Sequence, residues 1–352
     1  MLVLWAGNAR VAGDVPSVSI TPLPGLSQPV RARRGADGVI HVIADGPGGP
    51  RYARSLDDGV TFGPAQPVVV AADLPAGLEF AAEDLAVSPD GRVHVALSSN
   101  GWKLKRPQEE WGFYYTQLSP GGGAFAPLRN LNRKPSEGFA LAAGANGMVV
   151  ASFLSGRLFT QTSTNRGQTF GPYAELDPAW NPCDCCTTAL AFGQDGQVAL
   201  LYREETDNLR DPYVAVWDAG RPTPPRRTRL GEGHWHLAGC PMTYFSLEAT
   251  RTGYVAAWPT EGRVRLARLD ATGAMLTPGE IATPGKTGMR QRVLALESPE
   301  GTVLVAWNES GTLRWQLYDR SGQPLGAAGE ASATGKHAVG VSLPGGQFRL
   351  FP

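Results

Sequence analysis

Along the chain, polar turns ending in glycine are each followed by a short alternating or continuous apolar run. The turns are Asp37-Gly38, Asp90-Gly91, Asn146-Gly147, Asp195-Gly196, Thr252-Gly253, Glu300-Gly301 and Gly345-Gly346. Each lies between two apolar segments, such as Leu85-Ala86-Val87 before Asp90-Gly91 and Val93-His94-Val95-Ala96-Leu97 after it. Asp-Gly or Asn-Gly between two such runs predicts a two-residue β-hairpin, because both central residues tolerate positive φ. Successive turn glycines are 53, 56, 49, 57, 48 and 45 residues apart. A period near that length, all strand and turn, predicts an all-β propeller of four-stranded antiparallel blades.

Seven hairpins predict seven blades, with a six-bladed ring carrying a spare hairpin as the alternative. The last hairpin, over residues 337–351, ends the chain after two strands, whereas residues 17–21 and 2–5 supply N-terminal strands. The economical solution is one propeller domain over residues 1–352 with its ring closed by both termini. Residues 1–28 then hold closing strands or a residual leader, residues 29–336 six complete blades, and residues 337–352 the closing blade.

Composition narrows the function. Gly and Pro together number 73 (44 and 29), distributed among the repeat turns, while 42% of residues are hydrophobic and can form a core. Lys and Arg balance Asp and Glu at 32 each, which argues against a nucleic-acid surface. No apolar run has the length of a membrane helix. The apolar start, Met1 to Gly7, has no basic region of a secretory signal.

Two further turns share one pattern: Ser55, Asp57, Gly59, Thr61, Phe62, and Ser163, Asn165, Gly167, Thr169, Phe170. In such a turn the Asp or Asn side chain bonds turn amides, Gly takes the left-handed dihedral and the aromatic packs between strands. Degenerate copies occur at Phe125-Ala126-Pro127 and at 321–325. The pattern is the Asp-box, and the chain resembles the sialidase-like propeller superfamily. That resemblance implies boxes on the face away from the site, an extracytoplasmic setting (periplasmic or secreted), and a monomer that binds a glycan or protein ligand.

In a propeller the starts of the inner strands ring one channel mouth. In chain order the candidates there are Arg31 and Arg33, Glu83 and Asp84, Glu137, residues 183–186, then Cys240, Met242 and Tyr244, Arg290 and Arg292, and His337. Convergent charges at a channel mouth make a ligand pocket. The resemblance implies three arginines on a substrate carboxylate, here Arg33, Arg210 and Arg292, with Glu83 beside them. It also implies an Asp acid, Asp84, and a nucleophile pair, Tyr244 with Glu205. The family's Arg-Ile-Pro pattern is missing around Arg33. Trp102, on a long loop over residues 98–111 of the same face, offers a sugar-stacking surface. His41 and His94 hold equivalent places in blades 1 and 2 and are expected to pack within them, as are Trp258 and Trp307.

Cys183, Cys185 and Cys186 share one tetrapeptide, and Cys240 follows at the start of the next blade. Adjacent blades bring these four sulfurs together. Two disulfides are one outcome, with Cys240 joining blades 4 and 5; four cysteines allow three pairings. A copper(I) or zinc site is another, with Met242 and His234 or His236 completing the ligand set. A redox-active thiol pair is the third. The chain is also similar to sialidase-like bacterial proteins of unassigned activity that carry Cys-x-Cys-Cys, Gly-Cys-Pro-Met and Arg-Asp-x-Tyr, here Arg210, Asp211 and Tyr213.

Overall fold

In a computed structural model, which describes residues 16–70, 77–221 and 225–352, the repeats fold into seven sheets around one axis. Blades 1 to 6 are four-stranded meanders over residues 28–67, 80–130, 137–175, 189–229, 246–286 and 294–332. Blade 7 joins the hairpin strands Gly340–Leu343 and Gln347–Leu350 to the N-terminal strand Ser17–Ile20, which pairs in parallel with the last strand. Both termini therefore close the ring, and the six-bladed alternative is excluded. The strand expected over residues 2–5 lies outside the described residues.

Successive inner strands touch around the whole ring, the last against the first. Each blade-to-blade junction has its own apolar cluster, for example Ile43, Tyr52, Val95 and Leu97 between blades 1 and 2. Burying alternate faces of every strand against the next blade removes exposed sheet faces, so the repeat is stable only as a closed ring. Trp258 and Trp307 sit in two of these junctions. His41 and His94 are buried within their blades, each 2.7 Å from the hydroxyl of Tyr52 or Tyr115 on the neighbouring strand.

The inner hairpins are longer than the two-residue turns predicted. In blade 1, Gly35 N–H donates to Val39 O and Gly38 N–H to Gly35 O, and the same pair of bonds recurs in blades 2 and 6. The glycine still takes positive φ, 84° at Gly38 and 81° at Gly91, but within a wider turn.

Both Asp-boxes lie at the hairpins between third and fourth strands, on the face opposite the mouth. Asp57 accepts from Ser55 Oγ (2.7 Å), Thr61 N (2.9 Å) and Thr61 Oγ1 (2.6 Å), which lowers its pKa to about 2. Asn165 repeats the geometry with Nδ2 donating to Thr169 Oγ1 at 2.7 Å. Blades 5 and 6 use a shorter relative: Asp270 and Asp319 each cap three groups of their own turns.

Candidate functional site at the channel mouth

Three inner strands carry a β-bulge near the mouth, between Pro29 and Arg31, Ala82 and Asp84, and Glu137 and Ala140. A bulge leaves one residue unpaired and re-aims its neighbours. In blade 2 this lets adjacent residues serve one space: Glu83 meets Ser98, and Asp84 meets Arg31 of blade 1.

Below the mouth, charged side chains meet across the channel. Arg33 forms an ion pair with Glu248 of blade 5, across the ring. Arg31, 2% exposed, lies with Nε 2.9 Å from Asp84 Oδ1 and Nη2 3.7 Å from Glu248. Asp84 also accepts from the backbone of Leu85 and Leu141, at 2.9 and 3.0 Å. Burial raises the pKa of this carboxyl, but Arg31, Arg33 and Arg292 outweigh it and hold it below the usual range. Arg31 in turn is lowered to about 10, first by burial and then by Arg33. Among the described residues, neither terminal nitrogen of Arg31 has a hydrogen-bond acceptor, nor does Nε of buried Arg292.

Above this floor lies a second set. Arg292 donates from Nη2 to Glu83 O (3.1 Å), and its guanidinium lies 5.5 Å from the Tyr244 ring centre. Tyr244 stacks on His337 with ring centres 5.6 Å apart, and His337 Nδ1 accepts from Arg292 N at 3.1 Å. Burial lifts Glu83 to about 7 despite the hydrogen bond from Ser98 Oγ (2.6 Å) and the charge of Arg292. His337 falls to about 3, through burial and then Arg292. On the rim, burial and mutual repulsion raise Glu137, with Asp184 as its like-charged neighbour. Met242 and Arg290 both adopt positive φ (46° and 57°) and are tied together, Arg290 N–H to Met242 O at 2.8 Å and Nε–H to Sδ at 3.2 Å.

The structure thus brings Arg33, Glu83, Asp84, Tyr244 and Arg292 to one channel, but Arg33, next to last in the inner strand Gln28–Arg34, lies at the end away from the mouth. Arg210, expected as the third arginine, donates instead to Leu237 O and Cys183 Sγ at the cysteine corner. The charged groups acting on Tyr244 are Glu83, Arg292, Arg290 and Glu137. Glu205 belongs instead to the loop over blade 4, where it accepts from Asn208 N (3.1 Å) and lies 3.9 Å from Arg210. Trp102 is 60% exposed, with Lys103 Nζ 5.5 Å from its ring centre. Glu248 was not among the candidates, because it lies at the far end of its strand from the mouth.

The cysteine corner borders the same rim. Cys183 N–H donates to Arg203 O (2.8 Å) and Glu205 N–H to Asn181 O (2.7 Å), which fastens the loop to the second strand of blade 4. Cys185 and Cys240 form a disulfide that joins blades 4 and 5, with exposed Cys240 on the outer side. The second disulfide is not formed: Cys183 and Cys186 are buried thiols 3.7 Å apart. Cys183 Sγ also lies 3.3 Å from Cys185 Sγ and accepts from Arg210 Nη1 at 3.0 Å.

Arg203 is buried and, among the described residues, forms no ion pair with a carboxylate, although Asp211 acts on it from a distance; its donors go to Thr243 Oγ1 and to the carbonyls of Arg210 and Pro259. Burial opposes a thiolate at Cys186, but the Cys183 hydrogen bond, Arg203 and Thr243 prevail and lower it to about 5. Cys183 keeps the proton, pushed up by its bond to Cys186 and by burial. The sulfurs of Cys183, Cys185 and Cys186 lie within 4.8 Å of one another. Neither His234 nor His236 belongs to that group; His234 pairs with Asp211 at 3.2 Å. Three thiolates there would suit copper(I) or zinc only with the Cys185–Cys240 bond reduced.

No family model matches the chain, and no curated protein does. Among solved structures, an ulvan lyase from a new family of polysaccharide lyases aligns at TM-score 0.54 with 10% identity, over 94% of this chain and 87% of that one. The α-L-arabinofuranosidase Arb93A from Fusarium graminearum aligns at TM-score 0.51 with 12% identity, over 91% and 98%. A leech intramolecular trans-sialidase aligns at TM-score 0.48 with 11% identity, over 94% and 70%. At such identities the likeness reaches the propeller fold and no further.

Proposed function

We propose that this propeller binds an acidic carbohydrate at the channel mouth, with the sugar carboxylate directed at the arginine floor. One observation carries the reading: buried guanidinium donors of Arg31 and Arg292 have no acceptor among the described residues. Three arginines, Arg31, Arg33 and Arg292, face Asp84, whose carboxyl is held below the usual range, Glu248, and a Glu83 raised to about 7. A buried surplus of positive charge is stabilised by an anion that accepts its free N–H groups. Tyr244 and His337 supply a flat wall for a sugar ring, and Trp102 an exposed one. The proposal extends to an extracytoplasmic setting, which the Cys185–Cys240 disulfide fits.

Calorimetric titration with N-acetylneuraminic acid, glucuronic acid and glucose tests this. Binding of an acidic sugar and silence with glucose are expected. Affinity should rise as pH falls through 7, because neutral Glu83 no longer repels the carboxylate, and E83Q should remove that dependence. Equal binding of glucose, or no acidic sugar bound by folded protein, would overturn the reading.

A hydrolytic reading has one observation in its favour: Glu83, able to exchange a proton near pH 7, lies beside Tyr244. Release of a fluorogenic sialoside or glucuronide, lost in Y244F, is its test.

A further inference from the structure

The cysteine corner holds an intact disulfide and a free dithiol in van der Waals contact. We infer that it is a thiol–disulfide exchange site, in which buried Cys183 and Cys186 pass an electron pair to the exposed Cys185–Cys240 bond, and so to a disulfide of an outside molecule. Three features of the geometry carry this. Cys183 Sγ lies 3.3 Å from Cys185 Sγ, close enough for attack. Its S–H donates to Cys186 Sγ at 3.7 Å, so a base for its proton is already in place. Arg210 Nη1, 3.0 Å from Cys183 Sγ, and the buried Arg203, which shares Thr243 Oγ1 with Cys186 Sγ, stabilise a thiolate on either sulfur.

The internal exchange balances without an added oxidant, and the outside disulfide is the oxidant of the step that follows it. Transfer of the proton from Cys183 to Cys186 leaves a Cys183 thiolate beside Arg210. It attacks Cys185 Sγ; the Cys183–Cys185 bond forms, the Cys185–Cys240 bond breaks, and Cys240 leaves as a thiolate at the surface. Cys186, after losing its proton to solvent, attacks Cys183 Sγ and expels Cys185 as a thiolate. One disulfide is conserved throughout and ends as Cys183–Cys186. Exposed Cys240 then attacks an outside disulfide, releasing one thiolate, and Cys185 closes back on Cys240 to release the second. An external dithiol that reduces the buried pair completes the cycle. Leaving-group exposure favours this direction, since Cys240 emerges into water and Cys183 does not.

Full-length protein poised in glutathione buffers, acid-quenched, alkylated with N-ethylmaleimide and digested shows the pairing directly by mass spectrometry. Peptides linked Cys185–Cys240 and Cys183–Cys186 should both appear in mid-range buffers, and the oxidation should titrate in two two-electron steps. R210Q should slow the appearance of the Cys183–Cys186 link by about tenfold. C240S should retain one disulfide among Cys183, Cys185 and Cys186. If C240S does not fold, the wild-type mapping stands as the test. Cys183 and Cys186 alkylated in every buffer would overturn the inference. So would a fully reduced protein that keeps equimolar copper(I) or zinc(II) through gel filtration, with its thiols protected. None of these readouts depends on sugar binding.

Discussion

Glu83 links the electrostatics of the mouth to the stability of the fold, and E83Q separates the two. Its carboxyl is raised from 4.5 to about 7 because burial penalises the anion more than Ser98 and Arg292 favour it. The unfolded chain releases this proton near 4.5, whereas the folded chain holds it to about 7. Between those values the folded state binds more protons, so stability falls as pH rises, and above 7 the loss is complete. A shift of that size corresponds to about 3 kcal/mol, and the partial exposure of the residue reduces it to about 2.

Gln keeps the acceptor for Ser98 Oγ and never ionises. Urea unfolding of E83Q and wild type at pH 5 and pH 8 should therefore give near-equal stability at pH 5 and an advantage of about 2 kcal/mol for E83Q at pH 8. The comparison has to be a difference between variants. Buried His41, His94 and His337 are lowered to about 4, 3 and 3, and they make the wild type lose stability as pH falls below 6.5, the opposite slope. A stability difference that stays constant from pH 5 to 8, or an E83Q protein weaker at pH 8, would refute the burial of an uncompensated carboxyl at the mouth.

Other consequences are open to the same assays. E248Q strips Arg33 of the carboxylate it contacts across the ring and should cost about 3–5 kcal/mol in urea, whereas R33M/E248M together should recover most of it; a loss below about 1 kcal/mol would mean that water reaches the pair. D57N copies the Asn165 box and should leave the melting temperature nearly unchanged, while D57A should lower it, both without effect on sugar binding at the opposite face. His94 lies between Ser88 Oγ and the Tyr115 hydroxyl, at 2.7 Å from each. Its imidazole stays neutral to about pH 3, so H94Q should be less stable than wild type at pH 7, with the gap narrowing as pH falls from 6.5 to 4.

The repeat was legible because each blade restates a glycine-ended turn between its inner strands, and two blades add the full Ser-x-Asp/Asn-x-Gly-x-Thr-aromatic turn between their outer ones. Legibility was partial where the turn is shortened: residues 321–325 could be read as a degenerate copy, but not the aspartate that caps them. The capping aspartates Asp270 and Asp319 follow an Asp-x-Thr/Ser-Gly pattern that was visible in the chain but departs from the full box. Closure by the strand Ser17–Ile20 could be read from a count of strands, since a two-stranded last blade leaves an edge that only the other terminus can cover.

The site was legible only on one side of each pair. Arg33 and Asp84 stand out as charges in apolar strands, but their partners come from other blades. Glu248 is 215 residues from Arg33, and only the curvature of a closed ring decides which blade faces which. The same holds for the cysteines. Their proximity follows from adjacent blades, but the choice of Cys185 for Cys240 depends on side-chain direction within one tetrapeptide: Cys185 faces outward, and Cys183 and Cys186 face the buried Arg203. That inward direction also explains why the second disulfide is absent. With a buried cation there, the corner is stabilised by a thiolate, and closing Cys183 onto Cys186 would remove the sulfur anion that acts most strongly on Arg203, leaving Asp211 as a weaker one. The free dithiol is thus held open by the arginine behind it, and an R203M protein should be found with Cys183–Cys186 closed more often than the wild type in the same glutathione buffer.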